Sequence, residues 1–426
     1  MIRSVTSQRL SRTEHRVLFL CSESFPPHYA VLDCIFNDAL RNSGIECSWI
    51  MPSAVTSVVR ETWNGHAVWL IPKVRTPTAS GMMAAYREHL SNIESAVQIA
   101  AHEVGPFDLV QVRDDPAMAA VGYRHSRHQR IPFAYQLSHL KEEECILAGL
   151  RGQYPGRAKH IAKGAAGFLA RQSLLYAADV VFPVSQEMGK LLYRLGISRS
   201  KIAPLPEGVN IDGYQPATED KKHKTRELLH LPRGPLAIYI GSLSIMRRLD
   251  RVVDAMVVMN KLGAPGHVAF LGGDAGTGDI ERLRHRAQAL GVAERLRFLG
   301  HTTPSKVPPY LQACDVGLSP IPNTFVYRHC SPIKILEYLS VGLPVVATDI
   351  PAQRQILERA DAGLLVAHEP DSIAHGLAQL FTMHPADRQL MGQRGREYIV
   401  GHRSYADLAR IVVDRYQRLW EQPRDK

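Results

Sequence analysis

The sequence predicts an α/β protein made of two doubly wound parallel-sheet domains that face each other across a cleft. Three observations carry this expectation. The chain has 426 residues, enough for at least two domains. Short β-branched runs alternate with helical stretches in two separate series, the mark of parallel α/β layers rather than of a sandwich or bundle. Between the series lies a segment rich in proline, glycine and charge that suits a linker.

In the first series the predicted strands are Val17–Leu20, Ile45–Met51, Val68–Ile71, Asp108–Val112, Phe133–Leu137 and Asp179–Val184. The second series offers Leu236–Ile240, His267–Leu271, Leu296–Leu299, Asp315–Leu318, Pro344–Ala347 and Gly363–Val366. Pro204–Asn210, Pro216 and the charged run Glu219–Lys224 read as linker, which divides the chain into residues 1–210 and 211–404. Residues 405–426 form an amphipathic C-terminal helix.

Composition narrows the function. With 45% apolar and 22% charged residues the chain is an ordinary globular protein, without an apolar run of the roughly 18 residues that span a bilayer. Six widely spaced cysteines form neither a disulfide framework nor a zinc motif, so buried thiols in the cytoplasm are expected. Met1–His15 lacks a signal-peptide core and reads as a frayed tail, an organellar presequence being the alternative. The formal charge of +10 is spread evenly, with 23 Lys and Arg against 18 Asp and Glu up to Asn210 and 28 against 23 beyond it. An even excess without a basic stripe argues against nucleic acid and leaves an affinity for phosphates.

Three segments offer chemistry. In Cys330–Pro344, Ser331 is placed to cap a helix and Pro332 to occupy its first position, while Gly342 and Pro344 end it after about three turns. The free amides of that helix start, with Lys334, suit a phosphate. Glu337 sits between Leu336 and Leu339, where a carboxylate needs hydrogen-bond donors such as sugar hydroxyls. After the strand Leu236–Ile240, Gly241 permits a tight turn and Arg247 and Arg248 offer forked donors for a diphosphate. The loop Leu271–Gly278, with Gly272 and Gly273, lacks both the dinucleotide and the Walker spacing.

Taken together, Ser24–Pro27, Ala178–Ser185, Glu207–Asn210, Gly241–Asp250, Phe298–His301 and Pro332–Val346 resemble, in order, the retaining GT-B glycosyltransferases, in particular glycosyltransferase family 4. The resemblance implies an acceptor-binding N-terminal domain, a nucleotide-sugar-binding C-terminal domain, and a final helix that packs back on the first. It implies transfer of a hexose from a UDP-, GDP- or ADP-sugar to a saccharide or lipid-linked acceptor, as in polysaccharide biosynthesis, with retention of configuration. By the same resemblance Arg247 binds the donor diphosphate with Arg248 beside it, and Glu337 holds the ribose. His301 and Leu299 lie beside the base, and His329, Cys330, Ser331, Pro332, Ile333 and Lys334 line the sugar and phosphates. Two positions depart from the family pattern: Ser242 replaces the first diphosphate-binding cation, and His329 replaces the glutamate that contacts the donor sugar.

On the acceptor side, His139 follows the strand Phe133–Leu137 and is the candidate for reaching the reacting hydroxyl, a structural loop histidine being the alternative. Glu142–Glu144 read as a solvated helix face. The basic stretch Arg151–Lys163 reads as an ordinary amphipathic helix and loop, or as a peripheral contact with an anionic inner membrane surface. The chain contains no Asp-x-Asp pair for a divalent metal, so neither metal nor other cofactor is expected. An epimerase or phosphorylase of the same architecture, and a catalytically silent sugar-nucleotide-binding protein, are the competing readings.

Overall fold

A computed structural model of the chain describes residues 15–27, 29–73, 82–152 and 156–421. The expectation for the first residues lies outside this range. Two compact units emerge, one of Met1–Pro206 with Leu408–Lys426 and one of Glu207–Asp407.

Among the described residues, the first unit holds a seven-stranded sheet of β1 (His15–Cys21), β2 (Ile45–Ser53), β3 (Val59–Trp63), β4 (His66–Pro72), β5 (Leu109–Arg113), β6 (Phe133–Leu137) and β7 (Val180–Pro183), in the order β3-β4-β2-β1-β5-β6-β7. Every neighbouring pair is parallel except β3 with β4, a hairpin closed at Asn64 and Gly65, both with positive φ. The sequence reading missed β3 because this edge strand, Val-Arg-Glu-Thr-Trp, is mostly exposed and lacks an apolar run. The inner strands are buried on both faces, as parallel strands covered by helices are, and carry mostly apolar side chains. The final helix, Tyr405–Glu421, packs on this sheet: the Tyr416 hydroxyl donates to Gln111 Oε1, and Trp420 Nε1 donates to the Asp108 carbonyl at 3.0 Å and stacks on His15.

Glu142 and Glu143 are not the solvated face the sequence suggested. Both carboxylates pair with the fully buried Arg171, at 2.5 and 2.6 Å, because that guanidinium on the helix Arg157–Ala177 needs counter-charge. Glu144 turns instead to His139.

The second unit holds β8 (Leu236–Ile240), β9 (His267–Leu271), β10 (Leu296–Gly300), β11 (Val316–Ser319), β12 (Val345–Thr348) and β13 (Gly363–Val366), all parallel, in the order β10-β9-β8-β11-β12-β13. The charged run read as linker is a packed helix, Glu219–Leu228, capped by the Thr218 hydroxyl. Its Lys222 and Arg226 reach across to the buried Asp315 at 2.5 and 2.6 Å, so the charges bind the helix to the sheet.

Candidate functional site

The carboxyl ends of β8, β9 and β10 bring three glycine loops into register. Gly241 donates its N–H to the Leu271 carbonyl at 2.9 Å, and Gly272 donates to the Gly300 carbonyl at 2.8 Å. A Cβ on Gly272 would lie 1.9 Å from the Gly241 carbonyl oxygen, so only glycine allows this approach. Gly241 has φ near +115°, and a Cβ there would meet Lys334 Cε at 2.7 Å. The next turn adds Gly273, against which the exposed His301 lies, while Leu299 tucks partly into the core beneath.

The helix facing these loops is Ile333–Ser340, shorter at its start than expected. Pro332 has ψ near 78°, outside the helical region, and stands at the cap without a side-chain bond. The Ser331 hydroxyl does not cap the helix; it accepts the Glu207 N–H at 3.2 Å and so secures the entry to the second unit. At the other end Gly342 has φ near +78° and ends the helix as expected. Tyr338 locks the helix in place: its hydroxyl accepts from the Ile240 N–H at 3.0 Å and donates to the Leu318 carbonyl at 3.2 Å. Gly317 leaves room for that ring, since a Cβ there would come within 2.4 Å of it.

So fixed, the helix presents Lys334 and Glu337. Lys334 Nζ lies 5.5 Å from the centre of the Tyr239 ring. Burial, and then the Arg247 charge, push the Lys334 ammonium down to about 7, with Glu337 and Cys330 acting in the opposite sense. Arg247 stacks its guanidinium 4.6 Å from the centre of the Tyr327 ring. Burial raises the Glu337 carboxyl, opposed by the Tyr214 hydroxyl and the Lys334 charge. The Tyr214 hydroxyl donates to Glu337 Oε1 at 2.5 Å, and burial together with that carboxylate pushes the phenol well above its ordinary value.

This cluster gathers Arg247, Lys334 and Glu337, but not Arg248. The Arg248 residue has φ near +50° and turns its guanidinium into a fork on Asp250, at 3.1 and 3.0 Å, in the groove beside Asp279 and Arg286. That fork already holds the Asp250 carboxylate. The half-buried His329 sets Nδ1 2.7 Å from the Phe325 carbonyl and its ring against Phe325, while the Cys330 thiol donates to the Val326 carbonyl. In the first unit, His139 Nε2 sits 2.8 Å from Glu144 Oε2. Beside it the Ser138 N–H donates to Asp114 Oδ1 at 2.6 Å.

Tyr214, Tyr239, Tyr327 and Tyr338 shape the cluster, and the sequence reading assigned none of them a role. Tyr214 lay in a stretch read as linker, two residues before Pro216, and only its contact across the fold identifies it. Among the described residues no group of three or more His, Cys, Asp or Glu could hold a metal ion. No helix there is long and apolar enough to cross a membrane.

Residues 6–208 match the model of the glycosyl transferase 4-like domain, and residues 234–383 that of the glycosyl transferases group 1. The chain is 27% identical over 258 residues to a D-inositol 3-phosphate glycosyltransferase of Nocardia farcinica, covering 59% of this chain and 55% of the relative. A namesake from Salinispora tropica is 26% identical over 261 residues, covering 58% and 52%. The chain thus spans just over half the length of these curated relatives. Among solved structures, sucrose-phosphate synthase from Thermosynechococcus elongatus superposes with a TM-score of 0.73 at 17% identity, covering 95% of this chain and 99% of the other. Anabaena HepE in complex with UDP-glucose gives 0.69 at 16% identity, covering 94% and 99%.

Proposed function

We propose that this chain, which belongs to the GT-B glycosyltransferases of family 4, transfers a hexose from a nucleotide diphosphate sugar to a saccharide or glycolipid acceptor with retention of configuration. One observation carries the reading: a carboxylate, an ammonium and a guanidinium converge beside glycine loops at the carboxyl ends of a parallel sheet, where α/β folds bind their ligands. UDP-glucose in a structural neighbour favours the same ligand class.

In this reading the second unit holds the donor. Arg247 and Lys334 face the two phosphates, Glu337 takes the ribose hydroxyls through the oxygen that Tyr214 leaves free, and the glycine loops admit the ligand to the backbone. Lys334 is suited to the role because its charge lacks full compensation until an anion arrives. Charge on the departing diphosphate is neutralised by these side chains and by helix amides, without a metal. Retention follows from attack on the face that the diphosphate leaves, the diphosphate taking the acceptor proton.

The first unit takes the acceptor, with His139, oriented by Glu144, near the reacting hydroxyl. The curated relatives are named for a phosphorylated cyclitol, which adds polyol phosphates to the acceptors to be screened. Work in the cytoplasm, with acceptors at the inner membrane surface, fits the composition. A sugar-nucleotide-binding protein without turnover is the second reading, favoured by Ser242 and by a His329 already engaged with Phe325. Incubation with radiolabelled UDP-, GDP- and ADP-hexoses and a panel of saccharide, polyol phosphate and lipid-linked acceptors separates the two. Labelled product supports transfer; tight nucleotide-sugar binding with no product across the panel supports the second reading.

A further inference from the structure

The amino ends of the second sheet hold a cavity of about 810 Å³, lined by the residues that precede β8, β11 and β12, among them Pro235, Asp315 and Pro344. In a parallel sheet this is the edge opposite the glycine loops, a strand length away, or about 16 Å for the five residues of β8. The walls carry five cationic side chains against the two carboxylates of Glu219 and Asp315. Asp315 is already shared by Lys222 and Arg226 at 2.5 and 2.6 Å, with Arg388 Nη2 farther off at 3.9 Å.

Of the other three, Arg233 pairs with Glu227 at 3.8 Å, which leaves Arg388 and Arg396 without a close carboxylate of their own. Arg388 donates to the Leu380 carbonyl at 3.0 Å. Among the described residues, Arg396 donates only to neutral oxygens: the carbonyls of Tyr214, at 2.7 Å, and of Ser340, and Gln215 Oε1 at 2.7 Å. Burial alone lowers its proton affinity, as befits a cation without a carboxylate beside it. A half-buried guanidinium held by neutral carbonyls on the wall of a roomy cavity creates a positive potential that a small polyanion would relieve.

We infer that this cavity is a second ligand site, distinct from the donor cluster, for a compact anion bearing phosphate groups, such as pyrophosphate or a sugar phosphate. The site is independent of the donor reading, and binding alone tests it.

Pyrophosphate titrated calorimetrically into the full chain is the probe, with Arg247→Gln as background so that the donor cluster does not compete. Binding should persist in that background and fall at least tenfold on adding Arg388→Gln. Gln389→Glu covers the case in which the arginine change harms folding. Gln389 is an exposed residue of the cavity rim, and a carboxylate placed there should weaken binding by about fivefold without removing a contact. Glucose 6-phosphate in place of pyrophosphate distinguishes a sugar phosphate from the free ion, since the preferred ligand binds the more tightly. No binding in the Arg247→Gln background, or binding of equal strength in Gln389→Glu, would overturn the assignment.

Discussion

The Tyr214 hydroxyl donates a 2.5 Å hydrogen bond to Glu337 Oε1, tying a residue at the entry of the second unit to the carboxylate on the helix Ile333–Ser340. A hydrogen bond to a charged group contributes about 1.5–3 kcal/mol. Tyr214→Phe keeps the ring and frees the carboxylate, so donor KM should rise by about tenfold with kcat nearly unchanged. Steady-state kinetics that show a fall in kcat at constant KM would contradict this positioning role.

Lys334 should also set the pH dependence of donor binding. Its folded-state value of about 7 means that the free protein loses the charge as pH rises past neutrality. A bound diphosphate favours the charged form, so affinity is highest below that value and falls above it, by up to about tenfold per pH unit. The sugar-linked diphosphate carries no proton in this range, so donor KM should climb from pH 7 upward, and a flat profile would contradict the assignment.

The same shift makes a prediction about stability. The folded-state value lies below the ordinary 10.5, so folding disfavours the charged form; the cost is full below 7 and vanishes as pH rises towards 10.5. Lys334→Met should therefore raise Tm at about pH 6, with a gain that shrinks by about pH 10, while abolishing donor binding. Thermal melts across that range check the sign.

Asp315 serves the fold rather than the cluster around Lys334 and Glu337. It neutralises Lys222 and Arg226 beneath the sheet and accepts the Leu236 N–H at 2.9 Å. Asp315→Asn leaves both cations without their partner and should cost about 3–5 kcal/mol, seen as a loss of roughly 10 °C in Tm.

Much of this was legible in the sequence because strands buried on both faces announce themselves as apolar runs. Twelve segments from Val17–Leu20 to Gly363–Val366 fall on the strands observed. The segment carrying Lys334 and Glu337 stood out for the same reason, as a polar pair inside an apolar helix ended by Gly342. What the sequence concealed depends on partners distant in the chain. Tyr214 and Glu337 are 123 residues apart, and Lys222 and Asp315 are 93 apart. A charge run looks solvated until its counter-charge is found, which is why Glu219–Lys224 read as linker and Glu142–Glu144 as surface. The start of the helix at 333 was misread because the Ser331 hydroxyl, free to cap in sequence terms, is taken by the Glu207 amide.

His139 is held at 2.8 Å by Glu144 in the first unit. If it acts on the acceptor hydroxyl, His139→Ala should lower kcat by about 100-fold and leave donor affinity unchanged. An unaltered kcat would return it to a structural role.

Binding of nucleotide sugars to the wild-type chain and to Glu337→Ala tests the central claim most directly. Calorimetric titration with UDP-, GDP- and ADP-hexoses should find one that binds the wild type, with affinity lowered at least tenfold in a variant that still melts cooperatively. If no nucleotide sugar binds, or the variant binds as tightly as the wild type, the carboxylate at position 337 does not hold a donor.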